Sequence, residues 1–289
     1  MLKIAVTLQD LKDVISTPAD ELIVALENAA FSGSRSFSLE EILNFIPSAK
    51  ESGKEVSVLV NKLFHEGETE NFRAQLKKLT ENGAGYFIFA DPCVALWGKE
   101  DGYLSKLIYD PLTLVTSKED ALFWTNQKIA YVTLSPLVTS SEIETMASAI
   151  PNASIKAHGY SLMSVSRRKL VSSYLKEKNL PALQNPEDLS LREENRDYRL
   201  PVYEKEHMTL IYNDFVQETF SDLRNFMDHG VKRIEIESLR LSKEEVDDAI
   251  NAYRRIASGE DAESVKREYY QTYRKHSLSE GYYGWKTVK

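Results

Sequence analysis

The side chains in this sequence that are equipped for chemistry fall at the ends of short apolar runs. His158 precedes Gly159 in SIKAHG, Asp91 follows GYFIFA, Asn61 ends EVSVLVN, and Glu237 lies in VKRIEIES. Carboxylates and a histidine converging on one place can act as general acid and base, and a carboxylate cluster can also hold a divalent ion. Glu27, Asp110, Ser135 and His65 occupy similar positions. The plainer alternative is that polar residues follow strands because strands end in loops. Beyond His158 come Arg167, Arg168 and Lys169. Their cationic groups suit phosphate or carboxylate, the guanidinium forks binding such oxyanions bidentately, and the three are candidate substrate-binding residues. The competing reading is a solvated helix face balanced by Glu187, Asp188, Glu193 and Glu194.

No H-E-x-x-H, no G-x-S-x-G and no phosphate-binding glycine loop follows a strand, so motifs assign no metal and no nucleotide. Cys93 is the only cysteine, which excludes an internal disulfide or a multi-thiolate site, iron-sulfur clusters included, within this chain. The identity of any other cofactor stays open.

The elements that must carry these residues follow from hydrophobic periodicity. Eight apolar, β-rich runs read as buried strands: 3–8, 21–27, 55–61, 85–90, 106–110, 129–135, 154–159 and 231–238. Helical periodicity lies between them at 8–15, 38–53, 68–83, 117–127 and 140–150. Ser38 with Glu41 and Ser117 with Asp120 have capping-box spacing, and Gly53 and Gly83 stand where helices stop. Further on, a hairpin turning at 204–206 is expected within 199–213, with Pro201 favouring an edge strand. Helices follow over 214–230 and, at about 242–276, as a C-terminal pair. Alternating strand and helix call for a parallel sheet, here an α/β fold of the TIM-like (β/α) barrel type, distorted by a hairpin-containing insertion at about 176–213. A doubly wound open sheet competes, without its nucleotide fingerprint. One barrel domain over 1–289 is the economical division. Met163 and Leu170 are expected in its core; Tyr282, Tyr283 and Trp285 are expected to cover a barrel edge or a subunit contact, with base stacking as the functional option.

Composition narrows the function classes. The 289 residues are 42% hydrophobic and 28% charged, ordinary for a soluble globular protein, and the formal net charge of -8 argues against coating nucleic acid by bulk electrostatics. The N-terminus lacks a signal-peptide apolar core, and no run approaches the ~18 to 20 apolar residues of a membrane span. A cytoplasmic protein that does not engage membranes is expected.

These residues also resemble a known family. AHGYSLMSVSRRKLVSSYL resembles the signature of the collagenase-like peptidases, peptidase family U-32, in which a strand ends in His-Gly and a Ser/Cys-rich stretch runs through a basic residue into a helix. VLVNKLFHEGE, FADP, PVYEKEHMTLIYND and RIEIESLRLSKEEVDDAINAYR are similar to further family segments in the same order. The departures are specific. Where many members carry cluster-binding cysteines, this chain has Leu162 and Lys169, so it looks like a short member without the cluster; where the closing strand usually reads Lys-Ile-Glu/Asp-Gly, it has Glu235-Ile236-Glu237-Ser238. The resemblance implies either proteolysis, metal-dependent or otherwise, or tRNA wobble-uridine hydroxylation alongside a longer, cysteine-containing paralogue that bears the cluster. A non-catalytic subunit or scaffold is the third implication. The implied substrates are a peptide or tRNA, and a homodimer is an open possibility.

Overall fold

The computed structural model describes residues 1–181, 189–192, 194, 197–205 and 208–284. Glu187, Asp188, Glu193, Glu206 and Trp285, named above, lie outside the described residues.

Eight parallel strands close a barrel: β1 (Lys3–Thr7), β2 (Glu21–Leu26), β4 (Glu55–Val60), β5 (Tyr86–Phe89), β6 (Leu107–Tyr109), β7 (Tyr131–Thr133), β8 (Ala153–His158) and β14 (Val231–Ile236). Strand order runs β1-β14-β8-β7-β6-β5-β4-β2, and β1 pairs with β2 to complete the ring. All eight expected strands are present, and the closed barrel replaces the open-sheet alternative. A two-residue strand, β3 (Ser36–Phe37), pairs with the top of β2.

Alternation along the strands sorts the core into two shells. Outward residues such as Val6, Leu22, Val24, Val58, Phe87 and Phe89 are buried under the helices, while Ala5, Ile23, Ile88 and Ile108 form a separate small cluster inside the barrel. The surrounding helices are α1 (Leu39–Glu51), α2 (Thr69–Glu81), α3 (Pro92–Asp101), α4 (Lys118–Asn126), α5 (Ser140–Ala149), α7 (Leu223–Asp228), α8 (Lys243–Ser258) and α9 (Ala262–Thr272). The Ser38/Glu41 box caps α1 reciprocally; Ser117 caps α4 by accepting from the Asp120 N–H.

Several expectations need correction. Helix α3 was not legible from periodicity: its start is set by Asp91 at the N-cap and Pro92 in the first turn, a start signal with little amphipathic pattern behind it. The 214–230 helix shrinks to α7, because β13 (Val216–Gln217) pairs with β15 (Leu278–Ser279) and takes its first residues. The 8–15 segment forms only a 3-10 turn over Leu11–Ile15.

The inserted region is a four-stranded antiparallel sheet of β9 (Leu162–Ser166), β10 (Ser190–Arg192), β11 (Arg199–Lys205) and β12 (Met208–Tyr212), with α6 (Leu170–Glu177) beside it. The β11–β12 hairpin is as expected, but β10 pairs with β11, so Pro201 does not lie on an edge strand; Val202 N–H supplies the neighbouring ladder bond to Leu189. The Ser-rich signature stretch is itself β9, an edge of this sheet. Met163, on the outer face of β9, is 40% exposed, and Leu170 is 46% exposed because α6 buries none of its residues, so neither is core. On its inner face the sheet joins Tyr203, Met208, Leu210 and Tyr212 to Phe31 and Leu239 in a second apolar cluster above the barrel mouth.

Candidate functional site

The polar residues of the barrel interior are stacked along its axis. Deepest, Arg233 is wholly buried and grips Glu21 with both fork nitrogens, Nε to Oε2 at 2.9 Å and Nη2 to Oε1 at 2.6 Å. Its Nη1 also donates to Ser154 Oγ at 3.1 Å and to Glu235. Burial pushes the Glu21 carboxyl up, but Arg233 more than offsets it and holds Glu21 below its usual range. For Glu235, burial prevails over Arg233 and the carboxyl stays raised.

Above this layer the mouth holds a cavity of about 50 Å³ whose walls include Asn61, Asp110, Lys156, Glu235 and Glu237. Lys156 Nζ lies 2.9 Å from Asp110 Oδ2. Burial opposes its charge, yet Asp110 and Glu235 together keep the ammonium above its ordinary value. Glu237 accepts from Ser34 Oγ at 2.9 Å and from the Leu239 N–H at 3.0 Å, and burial still raises its pKa.

Loop 27–35 lies over this cavity. Asn61 Oδ1 accepts the Phe31 N–H at 2.7 Å, and Tyr212 OH accepts the Gly33 N–H at 2.7 Å. Phe31 is a wall of the mouth cavity and also of a second, larger cavity of about 940 Å³ outside it. That groove runs between β9 and the start of α2, and its charged and polar lining includes Lys62, His65, Glu68, Asn71, Arg167 and Arg168. Lys62 pairs with Glu68 at 2.6 Å, whereas Arg167 reaches the same carboxylate only at 3.8 Å.

The residues named from sequence thus separate. Asn61, Asp110 and Glu237 meet in the mouth; Arg167, Arg168 and His65 meet in the groove. Asp91 is in neither: its carboxylate caps α3 through the Cys93 N–H at 3.0 Å and accepts from the Phe64 N–H at 2.9 Å. His158 borders the mouth cavity, but its ring packs with Phe220, Tyr253 and Tyr269, and its Nε2 meets Tyr269 OH at 3.1 Å. Burial lowers the imidazole pKa to about 3, so the ring is neutral at ordinary pH. Lys169 is exposed at the start of α6, Glu27 is exposed on the loop, and Ser135 Oγ accepts the Leu137 N–H at 3.2 Å. Glu204 of β11 caps the two first free N–H groups of α6, Val171 and Ser172. Tyr283 is buried and its OH donates to the Lys156 carbonyl at 3.1 Å, so that tail aromatic does cover the barrel.

Sequence reasoning missed Lys62, Lys156 and Phe31. Lys156 had a signal, because it alternates with the outward Ile155 and Ala157 on β8 and must face inward. Phe31 had none, since its role depends on a contact between distant loops.

The residues present do not fit an iron-sulfur cluster. Leu162 and Lys169 offer no thiolate, and the one thiol, Cys93, is pushed up to about 12 by burial and by Asp91. Among the described residues no three His, Cys, Asp or Glu side chains are arranged to hold a metal ion, and no helix is long and apolar enough to cross a membrane.

Fold and site define a closed β/α barrel of TIM type whose mouth is covered by an inserted antiparallel sheet and bordered by a cationic groove. A sequence model of peptidase family U32 matches residues 6–287, and the chain belongs to that family. It is 24% identical over 250 residues to the tRNA hydroxylation protein P2 of Bacillus subtilis (strain 168), covering 85% of this chain and 81% of that protein. A solved U32 peptidase shares the fold with a TM-score of 0.52 at 13% identity, covering 82% of this chain and 92% of the other.

Proposed function

We propose that this chain acts in the hydroxylation of tRNA wobble uridine, as the RNA-engaging member of a pair whose longer, cluster-bearing partner supplies the redox chemistry. The observation that carries this reading is the groove: among the described residues of its lining, Lys62, Arg167 and Arg168, with His65, face one acid, Glu68, on a chain of formal net charge -8. A local cationic cleft on an acidic protein favours a polyanion at that place. Similarity to a tRNA hydroxylation protein supports the same reading. In it, Arg167, Arg168 and Lys169 hold RNA phosphates, and Asn61 and Glu237 contact the nucleotide at the mouth. His158 and Asp91 act as positioning residues, the first by filling the barrel wall and the second by fixing α3.

Deleting the gene is expected to remove hydroxylated wobble uridine from total tRNA, read by nucleoside mass spectrometry; an unchanged nucleoside profile contradicts the proposal. Proteolysis is the second reading, favoured by the raised carboxyl of Glu237 beside Asn61 in the mouth. It predicts cleavage of casein or gelatin that Glu237→Gln abolishes, and a folded preparation without such cleavage rules it out.

A further inference from the structure

The mouth cavity and the groove meet at Phe31, which is 7% exposed and lines both. The inner space of about 50 Å³ holds a few waters at most, while the outer space of about 940 Å³ is ample for a nucleotide. The cations that suit a phosphate lie outside the partition, and the amide and acid groups that suit a base edge lie inside it.

What holds the partition in place is informative. Asn61 Oδ1 accepts the Phe31 N–H, Tyr212 OH accepts the Gly33 N–H, and Glu237 accepts from Ser34 Oγ. Three mouth residues thus each receive a donor from the loop. Gly33 is packed so closely that a Cβ there would lie 2.9 Å from Leu239 Cδ2, beyond β14, and 3.1 Å from the Tyr212 ring of the inserted sheet, and Asn28 at the loop's start has a left-handed φ of 61°. The loop is seated by these three bonds and the Phe31 ring, and it is tied down on either side of Phe31: the Lys62 N–H donates to the Ala29 carbonyl at 3.0 Å, Gln9 Nε2 to Ser34 Oγ at 2.8 Å, the Arg35 N–H to Gln9 Oε1 at 3.2 Å, and Lys205 Nζ to the Ser34 carbonyl.

We propose that loop 27–35 is a plug which stands in for the ligand, and that a flipped-out pyrimidine base displaces it. Phe31 presents a six-membered ring where the base ring enters, and its N–H occupies Asn61 Oδ1, the acceptor that the single imide N–H of uracil takes once inside. Arg167, Arg168 and Lys62 retain the nucleotide's phosphate in the groove, and Lys156 and Asn61 meet the base carbonyls. Extruding a base into an enclosed pocket is the general means by which a protein reaches an atom hidden in a stack. This inference rests on the reading of the groove as an RNA site, and it adds the mode of entry.

The test is amide hydrogen exchange of the full chain with a synthetic stem-loop RNA carrying uridine in the loop, and with the same RNA made abasic at that position. The uridine RNA is expected to speed exchange at Phe31 and Gly33 by about tenfold or more while slowing it at 166–168, because a displaced loop loses its bonds. The abasic RNA is expected to slow 166–168 and leave the loop unchanged. In a folded Phe31→Ala protein the uridine RNA is expected to bind about tenfold tighter, since less of the closed state must be displaced. Binding with loop amides unchanged or slowed overturns the plug and leaves the groove as an RNA site. Absence of binding by wild type and Phe31→Ala overturns both readings, and unchanged or weaker binding by Phe31→Ala counts against the plug alone.

Discussion

Arg233 and Arg167 both face carboxylates, yet one is sealed and the other is not. Arg233 is fully buried with Glu21 and Glu235 against its guanidinium and Ser154 beside it. Arg167 is 33% exposed on its side chain and, among the described residues, approaches one carboxylate, Glu68 at 3.8 Å, which Lys62 already engages at 2.6 Å. The difference separates two uses of charge in one barrel. Where every partner is supplied internally, the network fixes the barrel interior and has no capacity left for a ligand. Where cations outnumber acids, the deficit is available to an anion from outside.

The comparison is broken most severely from the closed side. Arg233→Met leaves Glu21 and Glu235 buried without their cation, and a loss of about 3–5 kcal/mol is expected in urea unfolding; a loss under about 1 kcal/mol means that the network is not what holds the interior. Next comes His158. Its folded pKa of about 3 lies below the ordinary histidine value of 6.5, so the unfolded chain binds the proton first as pH falls. Its contribution is complete above about pH 6.5 and declines toward pH 3, amounting to a loss of about 2 kcal/mol between pH 8 and pH 5. His158→Gln is expected to flatten that slope in denaturation curves, and an unchanged slope excludes a buried neutral ring.

Most of the barrel was legible because its strands are short, β-rich and bounded by capping signals, as at Ser38 and Ser117. The inserted sheet was only half legible: the β11–β12 hairpin shows alternation, but β9 reads as a Ser-rich loop and β10 is three residues long. Asn61 and Glu237 could be placed from their positions at strand ends. His158 could not, since its sequence neighbours do not disclose that Phe220, Tyr253 and Tyr269 enclose its ring. The same limit hid Phe31. Packing between residues far apart in sequence decides both cases, and no local pattern encodes it.

Smaller effects sharpen the boundary between the two sides. Glu204 stabilises the start of α6 by accepting from the Val171 and Ser172 N–H groups at 2.9 and 3.1 Å. Glu204→Gln is expected to cost about 1 kcal/mol in thermal unfolding and to weaken RNA binding, because α6 follows the arginines directly. Arg167→Glu with Arg168→Glu is expected to change stability by no more than about 0.5 kcal/mol, as exposed, poorly paired charges contribute little. The same pair is expected to reduce the salt slope of RNA binding by about one unit for each phosphate no longer neutralised. A large loss of stability from this pair instead assigns the groove to the structural network.

The most direct measurement of the central claim is complementation of the deletion strain, with hydroxylated wobble uridine quantified by nucleoside mass spectrometry. Wild type is expected to restore the modified nucleoside in full, and the folded Arg167→Glu/Arg168→Glu protein, expressed at the same level, to leave it nearly absent. Full restoration by the double variant contradicts the account, since the groove's cations are then not what brings this protein to its substrate.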